Sequence, residues 1–113
     1  LPRGKKGSEL SVQARVMAIA DIFEALTAND RPYKKAKNLQ ESLSIMTQLA
    51  TTGHIDPDLY VLFLETGVYK QYAERFLNVD QMVDVNIDSY TEQVNLYLTK
   101  MKFEKEQSEL LVR

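Results

Sequence analysis

A chain of 113 residues holds one domain of ordinary size, or part of a larger one, and can bury roughly two-thirds of the surface its unfolded form exposes. With 44% hydrophobic and 27% charged residues it is not dominated by disorder, and a formal charge of -2 argues against a general nucleic-acid binder. There are no cysteines, which excludes disulfides and thiolate metal sites.

In chain order, residues 1–10, "LPRGKKGSEL", are rich in Gly, Lys and Arg and read as an exposed loop. They lack an initiating methionine, and a piece of a longer chain is expected. A first helix is predicted from about residue 11 to about residue 28. One of its stripes is large and apolar: Val12, Val16, Ile19, Phe23 and Leu26. A second stripe is small: Ala14, Ala18, Ala25 and Ala28, with Asp21 among them. Small side chains admit another backbone, so this face is expected to be covered, with Asp21 turned toward a packed neighbour.

Residues 29–37 form a turn, because Pro32 lacks a backbone donor and disfavours a helical predecessor. Asn38 and Glu41 have the spacing of a capping box and open a second helix, with Leu39, Leu43, Ile45, Met46 and Leu49 inward and an end near Gly53. Asp56-Pro57 opens a third, with Leu59, Leu62 and Phe63 inward and Gly67 as its stop. Residues 68–77 make a short fourth helix, and 78–88 are loop or broken helix. Ser89 and Glu92 form a further capping box that opens a long helix toward the C-terminus. No run of period-two alternation appears, so the expected class is all-α. No apolar run reaches the length of a membrane span and no signal-peptide pattern opens the chain, so a cytoplasmic setting is expected.

Two features can carry chemistry. Asp21 is read either as a carboxylate that caps or pairs with a neighbouring helix, or as a metal ligand or acid–base group, since a carboxylate held among small apolar residues needs a partner. Spacing alone leaves both open. In "RPYKKAK", Arg31, Lys34, Lys35 and Lys37 are either ordinary solvated charge or the planar fork and point charges that suit a phosphodiester. A metal-binding carboxylate beside phosphate-binding cations would suit metal-assisted phosphoester hydrolysis. His54, the single histidine, cannot build a transition-metal site and is read as structural, with Asp56 as a helix cap. The tyrosines Tyr60, Tyr69, Tyr72, Tyr90 and Tyr97 are read as packing residues.

The blocks P-R-G, A-R-V-M-A-I-A-D, E-A-L-T, D-R-P-Y-K and H-x-D-P, in that order over residues 2–66, closely resemble the C-terminal half of HD-GYP domains, bacterial metal-dependent phosphodiesterases of cyclic di-guanylate. The resemblance implies a helical fragment of an HD-domain-like bundle over residues 1–77, with 78–113 a connection and helical extension. It implies that Asp21, closing the A-x-A-D block, is a metal ligand, and that Arg31 and Lys34 contact the substrate phosphates. Divalent ions such as iron or manganese are implied for the intact domain, and none tightly bound to this piece. The implied partners are a cyclic dinucleotide, the upstream half of the same domain, a sensory or receiver domain and a second copy in a homodimer; nucleic acid and a membrane span are not expected. The family's His-Asp dyad is absent from the 113 residues, its tyrosine signature is reduced to Leu1-Pro2, and Asn29 adds one residue between Asp21 and Arg31. No catalytic residue is expected within the piece, which by itself should be inactive. The alternative reading is a degenerate, non-catalytic HD-GYP-like module for signalling or dimerisation, and a nucleic-acid-binding helical domain is a further rival that the net acidity disfavours.

Overall fold

The computed structural model describes residues 3–28 and 36–112, with side chains from residue 14 onward. Its helix starts follow local side-chain chemistry. The Asn38 Oδ1 accepts the Glu41 amide at 2.8 Å and Glu41 Oε1 accepts the Asn38 amide at 3.0 Å, so the expected capping box opens α2, Leu39–Ala50. Asp56 Oδ1 accepts the amides of Asp58 and Leu59 at 3.0 and 3.1 Å and opens α3, Pro57–Glu65, with the proline in the first turn where its missing donor has no helical acceptor to lose. At the ends of α2 and α3 the chain reverses through Gly53 and Gly67, whose φ angles of 79° and 82° favour glycine. The other helices are α1, Arg3–Thr27, α4, Val68–Phe76, and α5, Ile87–Leu111, with a single 3-10 turn at Val79–Gln81. The described residues contain no strand, and the fold is all-α.

One apolar cluster joins all five helices. Ile19 and Phe23 enter it from α1, Leu43 and Met46 from α2, Tyr60, Phe63 and Leu64 from α3, Ala73 from α4, and Tyr90 and Val94 from α5. Each fully buried large side chain contributes about 1.5–3 kcal/mol relative to exposure. Phe63 lies at the middle of an aromatic chain, edge-on to Phe23 at 5.6 Å and 6.2 Å from Tyr72, which stacks on Phe76 at 5.9 Å. The phenol of Tyr60 is buried and satisfied: it donates to the Leu43 carbonyl at 3.0 Å and lies 2.8 Å from Thr47 Oγ1. Burial pushes its pKa well above the ordinary tyrosine value, more than the Thr47 hydrogen bond lowers it.

Three expectations are corrected. Residues 3–10 are helical rather than a loop. Gly4 and Gly7 each cost a helix about 1 kcal/mol relative to alanine, but no proline interrupts the run between Pro2 and Pro32, and a helix already nucleated by its packed C-terminal half extends with little further cost. In α3 the inward face is Tyr60, Phe63 and Leu64, while Leu62 is 52% exposed. A tyrosine whose hydroxyl finds two buried partners takes the inward position and rotates the stripe. The long helix starts at Ile87 after Asn86, so Ser89 and Glu92 lie inside it and are exposed. Ile87 packs against the core, which favours the earlier start. Beyond Leu98 every described side chain of α5 is exposed, so the helix docks by its first three turns and projects thereafter.

Candidate functional site

The described helices α2, α3 and α4 all pack on the same apolar side of α1. Ile19 and Phe23 are buried there, Leu26 is half-buried, and Val16 is 40% exposed; Val12 lies outside the described side chains. The opposite face is left uncovered by the described residues. Ala14, Ala18, Asp21, Ala25 and Ala28 are all exposed, so the expected cover over the small-residue stripe is not supplied by the described residues. The physical reason is that each neighbouring helix follows the large apolar stripe, where burial removes most surface from water.

Asp21 therefore stands out from a strip of alanines. Among the described residues it has no hydrogen-bond or ion-pair partner, which leaves the helix-capping and helix-pairing readings without support there. A carboxylate oxygen presented on a smooth, small-residue surface is open to approach by another helix or by a cation. The described residues contain no group of three or more histidine or carboxylate side chains able to hold a metal ion. They do not fit a complete metal centre by themselves, and Asp21 contributes a single carboxylate.

A shallow cleft of about 380 Å³ borders this face, lined by Arg15, Ala18, Ile22, His54 and Asp56 among others, and Asp21 does not line it. At its edge Arg15 Nη1 meets Asp56 Oδ2 at 3.2 Å, while the other oxygen of Asp56 caps α3. Asp56 is thus both the expected cap and the counter-ion that ties α3 to α1. His54 is exposed, with Nδ1 2.7 Å from Thr52 Oγ1, and takes no part in a ligand cluster among the described residues.

Arg31 and Lys34 lie outside the described residues, but the two ends of their segment do not. Thr27, the last residue of α1, is fully buried and its Oγ1 donates to the Phe23 carbonyl at 2.8 Å. At the far end Lys37 leads directly into the Asn38 cap. Between these ends stands Gln81, buried and 5% exposed, whose Nε2 donates to the Thr27 carbonyl at 3.1 Å and to the Lys37 carbonyl at 2.9 Å. Sequence reading passed over Gln81 because it sits in the polar connection 78–88. The one local signal was Asn78 three residues before it, the spacing at which Gln81 Oε1 accepts the Asn78 amide at 2.8 Å.

Comparison with known proteins places these residues in a family context. A 3'3'-cGAMP-specific phosphodiesterase 1 of Vibrio cholerae is 37% identical over 73 residues, 65% of this chain and 16% of that protein. A 3'3'-cGAMP-specific phosphodiesterase 3 of the same organism is 42% identical over 59 residues, 52% of this chain and 12% of that protein. A cyclic di-GMP phosphodiesterase of Pseudomonas aeruginosa is 36% identical over 69 residues, 60% of this chain and 16% of that protein. The chain thus spans about a sixth or less of the length of these relatives. No solved structure matches it significantly. The family model described as HD domain matches residues 1–59, which take in α1 with Asp21, the segment of Arg31 and Lys34, all of α2 and the Asp56 cap, and on that match the chain belongs to the HD domain family.

Proposed function

We propose that this chain is the C-terminal part, over residues 1–77, of a metal-dependent phosphodiesterase acting on a cyclic dinucleotide, with residues 78–113 as an appended helical extension. Asp21 gives one oxygen ligand to a divalent centre, of iron, manganese or a similar ion, and Arg31 and Lys34 bind the substrate phosphates. The observation that carries the reading is Asp21 itself: an exposed carboxylate on a strip of alanines, without a partner among the described residues, in a chain of the HD domain family. HD-domain phosphohydrolases are metal-dependent, and the relatives are named for cyclic di-GMP and 3'3'-cGAMP. The other ligands, and the helices that cover the alanine face, come from further polypeptide of the longer protein.

A divalent ion in such a centre supplies Lewis acidity and a water of lowered pKa. The residues of this chain do the rest of their share by charge and geometry. A guanidinium matches two phosphate oxygens at once, and an ammonium adds a point charge, so Arg31 and Lys34 orient the diester and offset its charge.

The test uses the longer protein loaded with manganese or iron and incubated with cyclic di-GMP and with 3'3'-cGAMP, following the linear products. Turnover of one of them is expected. Lys34→Ala should raise KM by about 10–100-fold, the loss of one charge-assisted contact of about 1.5–3 kcal/mol, with metal content unchanged. Equal loss of metal and of substrate affinity would refute the role given to Lys34. A second reading, a non-catalytic signalling or dimerisation module, is favoured by the exposed Leu96, Phe103 and Leu110 at seven-residue intervals along α5, the last two on its projecting part. Absence of turnover with metal bound would select it.

A further inference from the structure

The outward face of α5 carries a row of large apolar side chains that no described residue covers: Leu96 at 74%, Phe103 at 60% and Leu110 at 61% exposure. Seven residues fall about 20° short of two full turns, so the three share one face. Leu96 lies about 200° around the helix from Val94, at 100° per residue, so that face looks away from the core in which Val94 is buried. Exposed apolar residues are ordinary on a protein surface, and the row by itself decides nothing. The charges beside it add a second observation. Lys100, Lys102 and Lys105 each stand four residues before a glutamate, namely Glu104, Glu106 and Glu109. Within one helix the dipole favours the reverse order, acid before base. α5 has no basic residue in its last turn, and among the described residues none of the six charges is in an ion pair. Three pairs in the poorer order, all of them open, are not explained by the stability of the helix itself.

We propose that this face is an interface for a second copy of the chain, with the two α5 helices antiparallel about a twofold axis near Phe103. Leu96 and Leu110 are equally far from Phe103 along the chain. Phe103 then meets its own copy, while Leu96 of each chain meets Leu110 of the second copy. The same register lays the basic stretch of each helix beside the acidic stretch of the other, and it opposes the two helix dipoles. A parallel pair would set lysine against lysine and glutamate against glutamate. The charge order that is poor within one helix is thus complementary between two, and only in the antiparallel sense. The contact is a single helix face about 25 Å long, at 1.5 Å per residue. That puts it at the small end of interface sizes, and a weak dimer with Kd on the order of 10–100 µM is expected. The pairing carries the dimerisation surface of the second reading further, but it does not require a non-catalytic protein: it holds two bodies at opposite ends of the helix pair whether or not they turn over substrate.

Because the chain has no cysteine of its own, single cysteines report the pairing directly. Leu96→Cys, Phe103→Cys and Leu110→Cys are oxidised mildly at high protein concentration, in the 113-residue chain and in the longer protein with any other cysteines replaced, and disulfide-linked dimers are followed on non-reducing gels. All three positions are exposed, so the fold is not at risk, and circular dichroism checks it. In the antiparallel pair the two copies of residue 96 lie about 21 Å apart along the axis, far beyond the roughly 7 Å that a disulfide spans between Cα atoms. Phe103→Cys alone, and Leu96→Cys mixed with Leu110→Cys, should therefore link at least about 10-fold faster than Leu96→Cys or Leu110→Cys alone. Equal self-linking at all three positions would mean a parallel pair or chance collision, and no linking at any would mean that no second copy sits there; either overturns the proposal. Sedimentation equilibrium gives the second reading. Reversing Lys100, Lys102 and Lys105 to glutamate, or Glu104, Glu106 and Glu109 to lysine, should abolish the dimer in each variant alone, and mixing the two variants should restore it. A Kd unmoved by either reversal also overturns the pairing. Neither readout involves cyclic-dinucleotide turnover, so the phosphodiesterase reading and the dimer can fail separately.

Discussion

Replacing Asp21 by alanine separates a ligand from a structural carboxylate, because the two roles predict opposite stability effects. Asp21 is exposed and, among the described residues, makes no hydrogen bond or ion pair, so the substitution removes no described contact. Alanine is the better helix former by up to about 0.7 kcal/mol. Asp21 also sits more than one turn before the helix end at Thr27, where a negative charge meets little of the unfavourable dipole. The 113-residue chain should thus gain about 0.5 kcal/mol, a rise in Tm of about 2–4 °C by circular dichroism. In the longer protein the same change should lower bound metal and cut hydrolysis by at least about 100-fold, beyond the 10–100-fold typical when a residue that merely supports a ligand is lost. Metal content by elemental analysis and product formation by chromatography read this directly. A destabilised chain with undiminished metal and turnover would refute the argument, since Asp21 would then be a structural partner.

Tyr60→Phe deletes a hydroxyl that bonds the Leu43 carbonyl and faces Thr47, and should cost about 1–3 kcal/mol by urea denaturation at pH 8. It should also change the alkaline limb. With its pKa raised by burial, folded Tyr60 keeps its proton where the unfolded chain, at the ordinary tyrosine pKa of about 10, releases it. Wild-type stability is therefore held below pH 10 and falls above it by up to about 1.4 kcal/mol per pH unit, and the Phe variant should lack this component; parallel pH profiles for the two would refute it. Asn38→Ala should cost about 1 kcal/mol and Asn38→Gly only a few tenths of a kcal/mol, and a melting temperature unchanged in the alanine variant would show that the 2.8 Å bond to Glu41 does not set the α2 start.

What was readable along the chain is what depends on neighbours three or four residues apart. The Asn38–Glu41 box, the Asp56-Pro57 start and the stops at Gly53 and Gly67 are local contests between side chain and backbone, and the structure keeps each of them. The all-α class followed from the same periodicities, and the ordered blocks around Asp21 led to the family that residues 1–59 match. Where local signals competed with packing, packing won. The box at Ser89 yielded to an earlier start at Ile87, which reaches the core, and Leu62 yielded its inward place to a tyrosine with two buried partners.

The sequence by itself determined the helical class, most helix limits and the carboxylate to watch, because capping and apolar spacing act within a turn or two of the chain. Only the tertiary structure decided which face of α1 the described helices cover, and that Gln81 bonds the carbonyls of both Thr27 and Lys37. Those outcomes turn on which surfaces meet across 40 or more residues, and no local spacing encodes a meeting at that range: it is settled by the packing of whole helix faces and by the demand of buried carbonyls for a donor.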